Sequence, residues 1–240
     1  LRGMDVIADA ARGKQPAVVF GVQADSTGEM LEYAHHAESL NPDGMIAIPP
    51  TSARSLKDFQ EYYEALCQVT SRPVFIQTSG GAPDVEPTVE FIVNMASEFP
   101  NLGYVKEERE PVHKRMRDLA KHRPQRIKRI FGAAFGRAWL YEMRLGTDGI
   151  MTGGAMYADI YAQLWELHRS GDLTALRELY SKLLLMLNLD ATIQGVRLYM
   201  LKRRGIFSTT KSRRGNYSFS ASDIAEIEYR WEELQGHLRA

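Results

Sequence analysis

The run Leu102-Gly103-Tyr104-Val105-Lys106-Glu107-Glu108 holds the residue best placed to do chemistry. A short apolar stretch after Phe99-Pro100-Asn101 predicts a buried strand that ends in a lysine and then two carboxylates. In α/β folds, active sites assemble at the carboxyl ends of strands. An amine partly removed from water holds its proton less tightly and can attack a carbonyl to form a Schiff base. The competing reading is a lysine that has left the strand and points into solvent. Alternation along a strand sends Glu108, rather than Glu107, to the same side as Lys106. Glu108 could then act as acid or base, or hold the amine's charge. A carboxylate that keeps the amine charged opposes attack, so a structural ion pair competes with the catalytic reading.

Gln77, Thr78 and Ser79 end another apolar run, before Gly80 and Gly81. They are candidates to line a pocket, with the glycine N–H groups open to an anion. An ordinary strand-to-helix turn is the alternative. His35, His36 and His113 fall within helical patterns, and no metal-ligand spacing, dinucleotide fingerprint or P-loop occurs. Lys202-Arg203-Arg204 with Lys211, Arg213 and Arg214 form a local basic cluster. Its first group reads as a helix C-terminus complementing its dipole rather than a nucleic-acid contact. Tyr141, Tyr157, Tyr161 and Trp165 read as packing rather than a ligand cage.

The elements that must position these groups follow from periodicity. Pro16 to Val22 is a continuous apolar run, the mark of a strand buried on both faces. Ser26 or Asp25 can cap the helix that follows, with Glu29 at capping-box spacing from Ser26. The same strand-then-helix unit recurs with strands at Gly44 to Ile48, Pro73 to Ile76, Leu102 to Val105, Ile127 to Phe131 and Gly149 to Met151. One of the helices between them is expected through Phe135, Trp139, Leu140 and Met143. Such alternation implies parallel pairing with right-handed crossovers, at the roughly 30-residue pitch of a (β/α)8 barrel. After Gly171 three helices follow without strands: Leu173 to Leu189, Ala191 to Arg204, and a last one capped by Ser220 or Ser222. Six units do not close eight strands, so the sheet is either an open doubly wound one or a barrel lacking two units at its front. Leu1 to Arg12 reads as the end of a helix, which favours the second.

Bulk properties set the frame. The 240 residues allow one large α/β domain or two small ones. Thirty basic and thirty acidic residues cancel, so no global field recruits nucleic acid or an anionic membrane. No apolar run approaches the ~20 residues of a membrane span. The single cysteine, Cys67, rules out an internal disulfide and a cysteine-based zinc site. It is expected in a helix core, and a reducing cytoplasm fits it.

The order of these features resembles the dihydrodipicolinate synthase and N-acetylneuraminate lyase family, class I aldolase-type (β/α)8 barrels with a C-terminal three-helix extension. Pro16 to Gly21, Gly44 to Pro50 and Pro73 to Gly81 match the third, fourth and fifth strands. Asn101 to Glu108 matches the sixth, and Arg129 to Gly132 and Gly146 to Thr152 the seventh and eighth. Gly171-Asp172-Leu173 with Ala175, Arg177, Leu179 and Leu183 resembles the first appended helix.

The resemblance implies an α/β TIM barrel over residues 1–170, without its first two βα units, and a helical extension over 171–240. It makes Lys106 the Schiff-base lysine. It puts Thr51 where a proton-relaying tyrosine is expected, although a threonine hydroxyl is too weakly acidic to replace a phenol directly. It replaces a Tyr-Asn pattern and a substrate-binding arginine with Gln77 to Ala82. It also brings Thr152 and Gly153 to the pocket near the lysine, a glycine turn being the alternative there. The implied activity is a lyase, an aldolase or dehydratase acting on a pyruvate-like or 2-keto-3-deoxy acid. No cofactor or metal is implied, and neither nucleic acid nor membrane is an expected partner. The expected state is a cytoplasmic homo-oligomer, dimer or tetramer. The alternative is a barrel relative that has lost its relay and serves as a binding or oligomeric scaffold.

Overall fold

The computed structural model describes residues 1–238. Its strands are β1 (Val19–Gly21), β2 (Gly44–Ala47), β3 (Val74–Gln77), β4 (Tyr104–Lys106), β5 (Arg129–Gly132) and β6 (Gly149–Ile150). The helices between them are α1 (Arg2–Ala11), α2 (Thr27–Ser39), α3 (Leu56–Val69), α4 (Val89–Glu98), α5 (Val112–Ala120), α6 (Trp139–Arg144) and α7 (Ala158–Ser170). Then come α8 (Leu173–Leu189), α9 (Val196–Arg203) and α10 (Ala221–Gln235).

All six strands pair in parallel, in the order β1-β2-β3-β4-β5-β6. This order decides between the two architectures left open by the sequence. A doubly wound sheet reverses its strand order at a switch point. A sheet whose neighbours are always consecutive is instead built as in a barrel. Among the described residues, β1 and β6 each pair on one side only.

The chain divides into two compact units, residues 1–133 with 144–151, and residues 134–143 with 152–240. The boundary expected at Gly171 lies inside the second unit. In the first unit, Met45, Ala47, Val74, Ile76, Val105 and Ile130 face the helices and are buried with Met30, Tyr63, Leu66, Ile92, Met116 and Leu119. At about 1.5–3 kcal/mol for each large apolar side chain, this layer is the main force holding the strands in register. Cys67 joins it from α3, and burial pushes its thiol up to about 12.

Capping follows the expected pattern with one change. Ser26 accepts from the Glu29 N–H, but the Glu29 carboxylate takes the Tyr33 hydroxyl instead of returning to the cap. Full capping boxes occur at Ser55 with Asp58 and at Ser220 with Asp223.

In the second unit, Trp139 stacks on Trp165 with ring centroids 6.0 Å apart and Tyr157 and Tyr161 are buried, whereas Tyr141 is exposed. The basic cluster is partly spent on internal pairs: Arg204 binds Asp159 at 2.7 Å, and Arg203 binds Glu228 at 3.0 Å. The helix expected through Phe135 departs from prediction. Ala134, Phe135 and Gly136 all have positive φ, and α6 begins only at Trp139. The Tyr161 and Tyr180 hydroxyls hold that turn by donating to the Phe135 and Gly136 carbonyls. Tertiary contacts thus override the local helical pattern.

Candidate active site

Lys106 is the last residue of β4, in register with Gln77 of β3 and Phe131 of β5. Its side chain is 16% exposed and its Nζ lies 3.5 Å from Glu108 Oε1. The other oxygen of Glu108 accepts from Gln77 Nε2 at 2.6 Å and from Ser79 Oγ at 2.5 Å. Gln77 Nε2 also reaches Ser79 Oγ at 3.1 Å. One carboxylate, one amide and one hydroxyl therefore form a mesh beside the amine. Phe75, Tyr104 and Phe131 form an aromatic layer along the same strands, with ring centroids 5.1 and 5.7 Å apart. Phe75 lies two positions before Gln77, and Tyr104 two before Lys106, so by alternation these rings share the sheet face of the polar mesh.

The opposite side of the same turn is closed. Glu107 has no exposed side-chain surface and pairs with Arg115 at 3.1 Å. Its Oε1 accepts from the Thr78 hydroxyl at 2.6 Å and from the Arg109 N–H at 2.8 Å. Arg115 also donates to the Pro87 carbonyl at 2.8 Å and pairs with Glu86 at 3.0 Å. A buried carboxylate needs this number of donors to offset its lost hydration.

Of the residues singled out in the sequence, Lys106, Glu108, Gln77 and Ser79 come together. Thr78 does not face them. It is wholly buried, on the helix side with Ile76, because strand alternation carries it there. Thr51 is exposed on the turn after β2, and its hydroxyl donates to Asp25 at 2.5 Å rather than to Glu108. Gly80 is required by the backbone: its φ is +74°, and a Cβ there would come 2.8 Å from Ile48 Cγ2. Ala82, at the position of the expected arginine, is core, packed with Ala53, Phe59 and Val85.

Thr152 and Gly153 follow β6 within the second unit. Thr152 approaches the Tyr161 hydroxyl, and a Cβ on Gly153 would lie 3.3 Å from Phe135 Cε1. Arg115 and Glu86 escaped the sequence reading, and Asp25 reads there only as a possible helix cap. Arg115 sits in a run with His113, Lys114 and Arg117 that reads as a solvated helix face. Only the fold shows that a carboxylate lies beneath it.

Solved structures of the same fold include dihydrodipicolinate synthase from Rhodopseudomonas palustris, with a TM-score of 0.81 at 22% identity over 97% of this chain and 80% of that one. A prophage protein from Escherichia coli K12, solved in complex with pyruvate, aligns with a TM-score of 0.80 at 17% identity, covering 98% of this chain and 81% of that one. Among curated proteins, a probable 2-dehydro-3-deoxy-D-pentonate aldolase of Escherichia coli K12 is 27% identical over 177 residues, 72% of this chain and 58% of the relative. A 4-hydroxy-tetrahydrodipicolinate synthase of Chlorobium chlorochromatii is 26% identical over 188 residues, 77% of this chain and 62% of the relative. The chain thus spans about three-fifths of the length of these curated relatives. The family model described as the dihydrodipicolinate synthetase family matches residues 4–215. The chain belongs to that family.

Proposed function

We propose that this chain is a Schiff-base-forming lyase, of aldolase or dehydratase type, for a pyruvate-like or 2-keto-3-deoxy acid. The observation that carries the reading is the pairing of Lys106 Nζ with Glu108 at the carboxyl end of β4, in a half-enclosed setting. Membership of the family and the aldolase and synthase names of the curated relatives support the reaction class.

Lys106 gives up a proton and adds to the ketone carbon of the substrate, and water leaves to form the iminium. The iminium draws electrons from the adjacent carbon, which permits carbon–carbon cleavage, condensation or loss of water. Glu108 takes and returns the proton at that carbon. Gln77, Ser79 and the Gly80 turn position substrate oxygens. Thr51, its proton committed to Asp25, keeps lone pairs that can accept from a bound water.

In this reading the six strands are the third to eighth of the barrel plan, and residues 171–240 are the three-helix extension. Assembly as a homo-oligomer through helix faces is supported by exposed apolar residues such as Val6 and Ile7 of α1. The lone buried Cys67 suits a reducing cytoplasm. Among the described residues no helix is long and apolar enough to cross a membrane.

The test is pyruvate release from a panel of 2-keto-3-deoxy sugar acids, and condensation of pyruvate with aldehydes in the reverse direction. Turnover with at least one member, abolished in Lys106→Ala, is expected. Turnover that survives in Lys106→Ala would contradict the assignment.

A further inference from the structure

We propose that Thr78, with Glu107, is a positioning device that fixes the carboxylate of Glu108 against Lys106. The inference rests on the Schiff-base reading above and adds a residue to it.

Thr78 was expected to touch substrate, but its hydroxyl is sealed between two backbone-linked partners. It donates to Glu107 Oε1 at 2.6 Å and accepts from the Glu108 N–H at 2.8 Å. Its own N–H donates to the Lys106 carbonyl at 3.1 Å. Three consecutive residues of β4 and its exit, Lys106, Glu107 and Glu108, are therefore gripped by the residue that follows β3. Glu107 completes the clamp by taking the Arg109 N–H at 2.8 Å. Arg115 anchors Glu107 from the other side at 3.1 Å.

The consequence for Glu108 is geometric. Adjacent residues on an extended chain point to opposite sides. With Glu107 held inward by its hydrogen bonds and ion pair, Glu108 must project toward Lys106. A flexible turn would let the Glu108 carboxylate swing toward solvent. Here the backbone is tied down, and only the side-chain torsions remain to be set by Gln77 and Ser79. Proton transfer falls steeply when the base leaves hydrogen-bond reach, so such a clamp acts on the proton step and not on the attack by the amine.

The test uses pyruvate as probe and reads two quantities on the same protein. One is the borohydride-fixed adduct on Lys106, which reports attack and loss of water. The other is exchange of the pyruvate methyl hydrogens in deuterated water, which reports the proton leaving carbon for the carboxylate. Thr78→Val keeps shape and burial while removing the hydroxyl, and Thr78→Ser restores it. We expect Thr78→Val to lower the ratio of exchange to adduct by at least tenfold, and Thr78→Ser to bring it back. Misfolding would lower both quantities together, so a ratio equal to that of the unaltered protein overturns the proposal. Adduct with a normal ratio in Thr78→Val sinks the positioning role alone. Absence of adduct in the unaltered protein sinks it together with the Schiff-base reading.

Discussion

Glu107 and Glu108 are neighbours in sequence and identical in chemistry, yet they occupy opposite sides of the chain leaving β4. Glu107 lies in the closed side, fully buried, with Thr78, Arg109 and Arg115 around it. Glu108 lies on the side that carries Lys106, one-fifth exposed, with two polar side chains and the amine for company. The difference teaches that position on the pleat decides whether a carboxylate is sealed into the fold or left beside the amine. The buried one is expensive to disturb because its partner cation cannot reach water. The half-open one is cheap to disturb for folding and, in the proposed function, costly for proton transfer.

The largest expected effect breaks the buried side. Glu107→Ala takes away the buried counter-charge of Arg115, leaving only the half-exposed Glu86, and should cost about 3–5 kcal/mol in urea denaturation. The matching change on the other side, Glu108→Gln, should alter stability by less than ~1 kcal/mol. It should nevertheless slow proton exchange or turnover about 10²-fold. Equal stability losses for the two would erase the contrast.

A smaller effect is expected at the turn that carries Ser79 onward. Gly80→Ala introduces a Cβ at φ +74° against Ile48 and should cost roughly 1–2 kcal/mol in thermal or urea unfolding. A pH-dependent effect concerns a third carboxylate, Glu142 on α6. Burial lifts it from 4.5 to about 7, so the folded chain holds its proton more tightly than the unfolded chain. That contribution is full below pH 4.5 and is lost as pH rises through about 7. Glu142→Gln stays neutral throughout. The stability of the variant relative to the unaltered chain should therefore rise between these pH values, by up to about 3 kcal/mol. A difference that does not vary with pH would contradict it.

Much of the frame was legible in the sequence because each strand is a short run of β-branched or apolar residues followed by a 3.6-period segment. Leu173–Leu189 and the Ser220 cap lie where their patterns place them. Lys106 and Glu108 were also legible, since alternation from a strand end needs no partner to be known. Thr78 shows the limit of reading a polar cluster as a unit. Gln77 and Ser79 share one face, and the residue between them must take the other. Arg115 and Glu86 were not legible, because the loop before α4 and the first turn of α5 meet Glu107 only through the tertiary fold. The turn at Ala134 to Gly136 was hidden for the same reason. Its left-handed backbone is held by Tyr161 and Tyr180, from helices that begin some 20 to 40 residues later in the chain.

The central claim is that Lys106 is the residue that captures a 2-oxo acid. Treating the chain with pyruvate and borohydride, then mapping the modified peptide by mass spectrometry, tests it directly. The account predicts one reduced adduct, on Lys106, absent from Lys106→Ala. Adducts spread over exposed lysines at equal yield, or a single adduct elsewhere, would contradict it.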